Sequence, residues 1–331
     1  MKAIRLKTEH LFDPVGVDFT APRLYWNCEG GKKQTAYQIV AADDSGSVLW
    51  DSGRVESAAM CVTWGGTPVP PKTKVLWNVR LWDETDTAGD WTEATFETGI
   101  GAWSAEWITG DYKVNKKERY PVDCFRKAFH AADVKKARLY ITACGLYEAR
   151  LNGERVGSFI LAPGITDYRK RVQYQAYDVT TLLQDGENAL TVQLADGWYR
   201  GSCGAWGLKN QYGTETKLLA QLELTHTDGS VQTITTDESW EWSNDGPIRF
   251  ADNKDGEVVN ANNTPSYQGK AKVTSHPVTP SAPNNVPVTE HERLKAKRIT
   301  TPSGKTVLDF GQNIAGYAEF TVTAHAGEKI K

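Results

Sequence analysis

The chain has 331 residues, of which 40% are hydrophobic and 24% charged, so it can form two or three domains that each bury a core. Its formal net charge of −3 leaves no basic surface for nucleic acid, and no apolar run reaches the length of a membrane span or resembles a secretory signal. Five cysteines without a CxxC pair predict free thiols in a reducing, cytoplasmic compartment.

Period-two patterning dominates the chain. Segments such as "KVLWNVRLWDE", "KKARLYITACG" and "NALTVQLADG" alternate apolar with polar residues and end at Gly, Asn or Asp. This pattern, with turns about every eight to twelve residues, predicts antiparallel β-sandwiches and an all-β fold class. Only "YDVTTLLQDGEN" predicts a short helical turn, which Asp178 caps and Gly186 ends.

The domain boundaries follow from breaks in this pattern. We expect a first β-sandwich over residues 1–101, with Trp50, Trp77 and Trp82 in its core, and a second over residues 102–272. Four prolines and few large apolar residues indicate an exposed linker over residues 273–290. Strand patterning resumes over residues 291–331, where we expect an incomplete β domain.

The stretch "LADGWYRGSCGAWG" places a carboxylate, two aromatic rings and a guanidinium at the end of a predicted strand, as Asp196, Trp198, Tyr199 and Arg200. A sugar site uses these groups, since aromatic faces stack on pyranose C–H faces while charged side chains bind hydroxyls. The alternative is a structural plug or domain-interface anchor, in which the rings close the end of the sandwich and Arg200 pairs with Asp196. The sequence leaves both interpretations open.

An ordered set of motifs runs along the whole chain: "QTAYQIVAADDSGSVLWDSGRVES", "VRLWDETDTAGDWTEATFETG", "AEWITG", "YEARLNGERVG", "LAPGITDYRKRVQYQAYDVT", "LADGWYRG", "DGEVVNAN" and "LDFGQNIAGYAEF". This set resembles the N-terminal half of the bacterial α-L-rhamnosidase family of glycoside hydrolases. The resemblance implies a fibronectin- or immunoglobulin-like sandwich, then a jelly-roll domain like a carbohydrate-binding module, then the start of a further β domain. It also implies that the (α/α)-barrel with the catalytic carboxylates is absent from this chain.

The resemblance further implies ligands. Carbohydrate-binding relatives place a calcium-linked sugar site on such a jelly-roll. In this sequence the best candidates for the oxygen ligands of such a site are Asn152, Glu154 and Asp167. A structural role alone would also explain Asn152 and Gly153, because Asn-Gly is the favoured dipeptide of a type I′ hairpin turn. We expect no required cofactor, with calcium as the one candidate ion.

Two functions remain. The first is the non-catalytic N-terminal portion of an α-L-rhamnosidase, which supports a C-terminal catalytic domain acting on L-rhamnose-containing glycans or glycosides, and which binds sugar itself. The second is a free-standing carbohydrate-binding protein that uses the jelly-roll face. No zinc-protease or serine-hydrolase motif and no phosphate-binding loop is present. Because the sequence has no long amphipathic helical segments that could build an (α/α)-barrel, we expect the chain alone not to hydrolyse rhamnosides, and we predict no catalytic residue in it.

Overall fold

A computed structural model describes residues 1–325, 327 and 328, and it confirms the all-β prediction. Within these residues no helix has the length and apolar character needed to cross a membrane. The chain consists of two compact units, residues 1–288, which hold both predicted sandwiches, and residues 289–331.

The first sandwich contains nine strands. They are β1 (Lys2–Thr8), β2 (Val15–Val17), β3 (Arg23–Glu29), β4 (Ala36–Asp43), β5 (Val48–Asp51), β6 (Val55–Glu56), β7 (Cys61–Thr63), β8 (Lys74–Trp82) and β9 (Thr92–Thr98). One sheet has the order β1-β3-β7 and the other β2-β9-β8-β4-β5, with β6 paired to β4. Alternate residues of both sheets fill one core, in which Trp77 is fully buried, while Trp50 packs at its margin. Trp82 is also buried but lies outside this core, with the guanidinium groups of Arg54 and Arg80 over its ring, so the prediction that placed it in the core is wrong.

The second sandwich contains the remaining strands of the large unit. They are β10 (Trp107–Thr109), β11 (Asp123–Ala131), β12 (Val134–Cys144), β13 (Leu146–Leu151), β14 (Glu154–Arg155), β15 (Gln175–Asp178), β16 (Gly186–Ala195), β17 (Lys217–His226), β18 (Val231–Thr235), β19 (Glu241–Ser243), β20 (Ile248–Asp252), β21 (Gly256–Val259), β22 (Gly269–Lys270) and β23 (Lys272–Thr274). Two six-stranded antiparallel sheets pack on a common core, in the orders β15-β12-β17-β10-β23, with β18 beside β17, and β14-β13-β16-β11-β19-β22. β20 and β21 form a separate hairpin.

Local turns in this sandwich follow the sequence. The predicted helical turn is a 3-10 turn at Thr180–Leu182, and the Asp178 carboxylate accepts hydrogen bonds from the backbone and side chain of Thr180. Asn152 and Gly153 both have positive φ at the tip of the β13-β14 hairpin. The hairpin prediction is confirmed. The helical turn is present, but Val179 rather than Asp178 is its N-cap residue, and it ends at Leu183, before Gly186.

A buried ion pair joins the two sandwiches. Arg138 of β12 donates from Nε and Nη2 to the two carboxylate oxygens of Glu97 of β9, at 2.9 and 2.8 Å. Nearby, the Tyr174 hydroxyl donates to Asp18 at 2.6 Å and accepts a bond from the Ile100 backbone. Bidentate pairing of buried groups fixes orientation as well as distance, so the sandwiches meet at a specific angle.

The proline-rich segment is less free than its composition indicates. β23 pairs with β10, the Ser281 backbone bonds to Val172 and Tyr174, and the Val288 carbonyl accepts a bond from Ile160. Prolines lack an N–H but retain their carbonyls, and the residues between them supply the donors. The predicted linker over residues 273–290 is therefore attached to the second sandwich as far as Val288.

In the small unit, the described residues 289–325, 327 and 328 include an antiparallel hairpin made of β24 (Lys297–Thr300) and β25 (Thr306–Asp309). The side chains of both strands are exposed. Within the described residues the hairpin has no buried core of its own.

Candidate functional site

The candidate site forms where β16 ends. The chain leaves Ala195, passes through Asp196 and makes one helical turn, α1 (Gly197–Arg200), in which the Arg200 N–H donates to the Asp196 carbonyl at 3.2 Å. This turn places the Asp196 and Arg200 side chains on the same side, because residues four apart on a helix are neighbours.

Two glycines let the backbone pack tightly around this turn. Gly197 has a φ of +52°, and a Cβ there would lie 2.6 Å from Leu146 Cγ. A Cβ on Gly213 would lie 2.3 Å from the Tyr199 hydroxyl. Glycine is therefore required here for close approach of chain segments and aromatic rings.

Arg200 lies at the centre of the cluster and is almost fully buried. Its Nε donates to Asp196 Oδ1 at 2.7 Å, its Nη1 donates to the Tyr112 hydroxyl, and its guanidinium lies 5.4 Å from the Tyr120 ring centroid. Burial alone would lower the pKa of Arg200, but the charges of Asp196 and of neighbouring acidic groups raise it. The guanidinium is thus a permanent buried cation.

Two buried carboxyl groups balance this cation. Asp123 of β11 is fully buried and accepts hydrogen bonds from Thr216 Oγ1 at 2.6 Å and Trp242 Nε1 at 2.9 Å. Loss of water raises the pKa of both Asp123 and Asp196, and the positive charge of Arg200 opposes that rise. The stability of this end of the sandwich therefore depends on Arg200.

The aromatic members of the motif pack inward. Tyr199 is buried with its ring edge-on to Tyr168, at 5.2 Å between centroids, and Trp198 is half-buried against the same cluster. This geometry favours the plug interpretation for Asp196, Tyr199 and Arg200, because all three side chains are buried and Asp196 and Arg200 bind each other. A sugar contact by these four residues remains a prediction, for which Trp198 retains the most exposed surface.

The predicted calcium ligands have separate protein partners. The Asn152 amide donates to Leu182 O and Asn188 Oδ1 and accepts from the Ala189 N–H. Asp167 binds Arg169 at 2.8 Å, and that hydrogen bond is the main reason its pKa is lowered, while Glu154 is exposed in β14. No group of three acidic, His or Cys side chains is placed to hold a metal among the residues that the structure describes. Calcium binding remains a prediction.

Sequence reasoning missed the groups that reach the site from elsewhere in the chain. Asp252, in the "ADNKDGE" turn, accepts a hydrogen bond from the Ser202 N–H at 2.7 Å, so this oxygen-rich turn fixes the segment after α1. Tyr112 and Asp123 lie more than seventy residues from Arg200 in sequence, and no local pattern links them. Trp206, four residues after Ser202, points into solvent.

Three family models match the chain in order. They are described as the Rha78A-like N-terminal immunoglobulin domain (residues 3–102), the alpha-L-rhamnosidase N-terminal domain (residues 132–301) and the bacterial alpha-L-rhamnosidase concanavalin-like domain (residues 299–331). The second of these covers more than half of the chain. It includes the residues described above for the candidate site except three that precede it in sequence, Tyr112, Tyr120 and Asp123.

Individual relatives agree with these matches. An alpha-L-rhamnosidase from Formosa agariphila is 32% identical over 98% of the chain, which covers 38% of that protein, and one from Streptomyces avermitilis is 27% identical over the full chain, which covers 51%. The crystal structure of the native rhamnosidase from Aspergillus terreus has a TM-score of 0.86 at 32% identity over 95% of this chain and 39% of its own. The S. avermitilis enzyme, solved with L-rhamnose, has a TM-score of 0.83 at 26% identity, with 95% and 49% covered. The chain thus spans about two fifths to one half of its relatives, and it belongs to the α-L-rhamnosidase N-terminal domain family.

Proposed function

We propose that this chain is the N-terminal, non-catalytic portion of an α-L-rhamnosidase, a glycoside hydrolase acting on terminal α-L-rhamnosides. Its task is to support the catalytic domain as a rigid β scaffold and to bind sugar. The observation that carries the proposal is the buried joint between the sandwiches, in which Arg138 and Glu97 form a bidentate pair. A joint of this kind holds the two sandwiches in one fixed relative orientation, which a rigid scaffold requires and a flexible tether would not provide.

The partners follow from the same proposal. They are a C-terminal catalytic domain and L-rhamnose-containing glycans or glycosides, and the rhamnose complex of the S. avermitilis relative supports the choice of sugar. A free-standing carbohydrate-binding protein is not favoured, because the ordered matches are to rhamnosidases. The five free thiols support the proposed cytoplasmic location.

The proposal has a direct test. The purified chain is incubated with 4-nitrophenyl α-L-rhamnoside, and we expect no release of nitrophenol. Dose-dependent release that persists through a further purification step would contradict the non-catalytic assignment.

The supporting role needs a second experiment. The chain is fused ahead of the catalytic region of the A. terreus rhamnosidase in place of that enzyme's own N-terminal portion. We expect the fusion to unfold at a higher temperature than the isolated catalytic region and to retain activity. A fusion carrying Arg138→Ala is the matched control, because it keeps both sandwiches but breaks the joint. Equal thermal stability of the isolated region and both fusions would refute a supporting role.

A further inference from the structure

An anchored loop presents one tryptophan to solvent beside the candidate site. In this loop, residues 203–208 (the tip loop), Cys203 and Leu208 exchange two backbone hydrogen bonds of 2.9 and 3.1 Å. Lys254 also donates from Nζ to the Gly204 carbonyl at 2.6 Å. Trp206 at the tip is 89% exposed, so folding of the described chain does not account for a large aromatic at this position.

The two ends of the tip loop border a polar crevice. Gly201 on one side and Lys209 with Asn210 on the other line its wall, and the Asn210 N–H donates to the Arg200 carbonyl at 2.9 Å. Trp206 is three residues from Lys209, so the Cα atoms of these two residues lie within roughly 11 Å of each other. A ligand the size of one or two sugar rings can therefore reach both.

The charge of the crevice is balanced. Its lining includes four cationic side chains (Lys116, Arg119, Arg200 and Lys209) and three acidic ones (Glu118, Asp196 and Asp252). Asp255 binds two of these cations, and it lies 3.3 Å from the Lys209 ammonium. Asn115 and Asn210 add amides that both donate and accept. Such a wall offers paired donors and acceptors without a surplus of either charge, which suits neutral hydroxyl groups better than a phosphate or a carboxylate.

The crevice itself is narrow. Its interior has room for about one water molecule, so a pyranose ring cannot enter it. A ring that stacks on Trp206 can instead lie across the opening, with one hydroxyl group in the place of that water. An apolar ring face and a polar edge are the two features that a sugar presents together.

We propose that Trp206 and this crevice form a binding site for a neutral glycan, with the indole as the stacking surface and the crevice wall as the hydroxyl-binding surface. The site rests on the sugar-binding part of the proposed function and places its stacking surface at Trp206, outside α1. It requires no metal and no catalytic group.

The test is calorimetric titration of the purified chain with L-rhamnose, D-glucose and D-glucuronate, together with Trp206→Ala and Trp206→Phe. We expect millimolar affinity for at least one neutral sugar, no preference for glucuronate over glucose, and about tenfold weaker binding after Trp206→Ala. Trp206→Phe keeps an aromatic face and is expected to retain most of the affinity. Trp91→Ala is the matched control, because Trp91 is 41% exposed on the first sandwich.

Several results would overturn the site. Undiminished binding by Trp206→Ala would place the sugar elsewhere and leave the proposed function intact. Absence of binding by the unmodified chain would remove the site, whereas the scaffold role is measured separately in the fusion experiment. If the unmodified chain binds no sugar but forms a dimer, and Trp206→Ala abolishes that dimer, the indole contacts a second copy of the chain rather than a glycan.

Discussion

Replacement of Arg200 by Ala tests the central cluster most sharply. It removes a cation that is almost fully buried and leaves Asp196 and Asp123 without their positive neighbour. Loss of one partner from a buried ion pair costs about 3 to 5 kcal/mol of unfolding free energy. For a domain of this size, that loss lowers the Tm by roughly 6 to 20 °C.

The loss of stability in Arg200→Ala depends on pH, and the direction of this dependence follows from the carboxyl groups of Asp123 and Asp196. Both have a pKa raised by burial, so their contribution to stability is complete below the unfolded pKa and is lost as pH rises through the folded one. Without Arg200 both pKa values rise further. The variant is therefore most destabilised near neutral pH, and the difference from the unmodified chain narrows as pH falls toward about 4.

Urea and thermal unfolding at several pH values, followed by tryptophan fluorescence, measure this effect. Arg126→Ala is the matched control, because Arg126 forms a partly exposed pair with Glu241 and should cost only about 0 to 1 kcal/mol. If Arg200→Ala does not fold, the double variant with Asp196→Asn removes the unpaired charge as well and should recover part of the loss. Equal losses for Arg200→Ala and Arg126→Ala, or a loss that does not change with pH, would refute the argument.

Three further outcomes are expected. Arg138→Ala should lower the free energy of unfolding by about 3 to 5 kcal/mol and let the two sandwiches unfold separately in calorimetry. Lys72→Ala, which removes an exposed partner of an ion pair, should cost under about 1 kcal/mol. A single, unchanged unfolding transition in Arg138→Ala would contradict this prediction. Ellman's reagent at pH 8 should modify the exposed Cys61 promptly. It should reach Cys144 only on unfolding, because that thiol is buried and burial raises its pKa to about 12. Prompt modification of Cys144 would show that the aromatic cluster around it opens in the folded protein. Limited proteolysis should cut first within residues 289–296, which are exposed or half-exposed and lie outside any strand. An earlier cut within the attached part of the linker would show that this part detaches.

Strand β12 shows where sequence patterning stops being informative. In β8 every second residue from Val75 to Leu81 is buried, as alternation predicts, but in β12 all eight residues from Ala137 to Cys144 are buried. Arg138 and Tyr140 point away from the main core and would be exposed in an isolated sandwich. Glu97 of the first sandwich covers Arg138, and a small cluster with Tyr174 covers Tyr140. Alternation along a strand describes the sheet it belongs to and cannot indicate which neighbouring domain covers its outer face.

The same limit explains why the sequence alone could not show which aromatic residues of the glycine-rich stretch "LADGWYRGSCGAWG" are buried and which are exposed. Tyr199 and Trp206 are both aromatic residues close to glycines, and propensity treats them alike. Tyr199 is buried because Gly213 leaves room for its hydroxyl and Tyr168 packs against its ring, and neither residue belongs to the stretch. Trp206 has no such partner at the tip of its loop, so it keeps its surface. Affinity for a sugar requires a face that folding has not already used, and in this stretch that condition selects Trp206 over Tyr199.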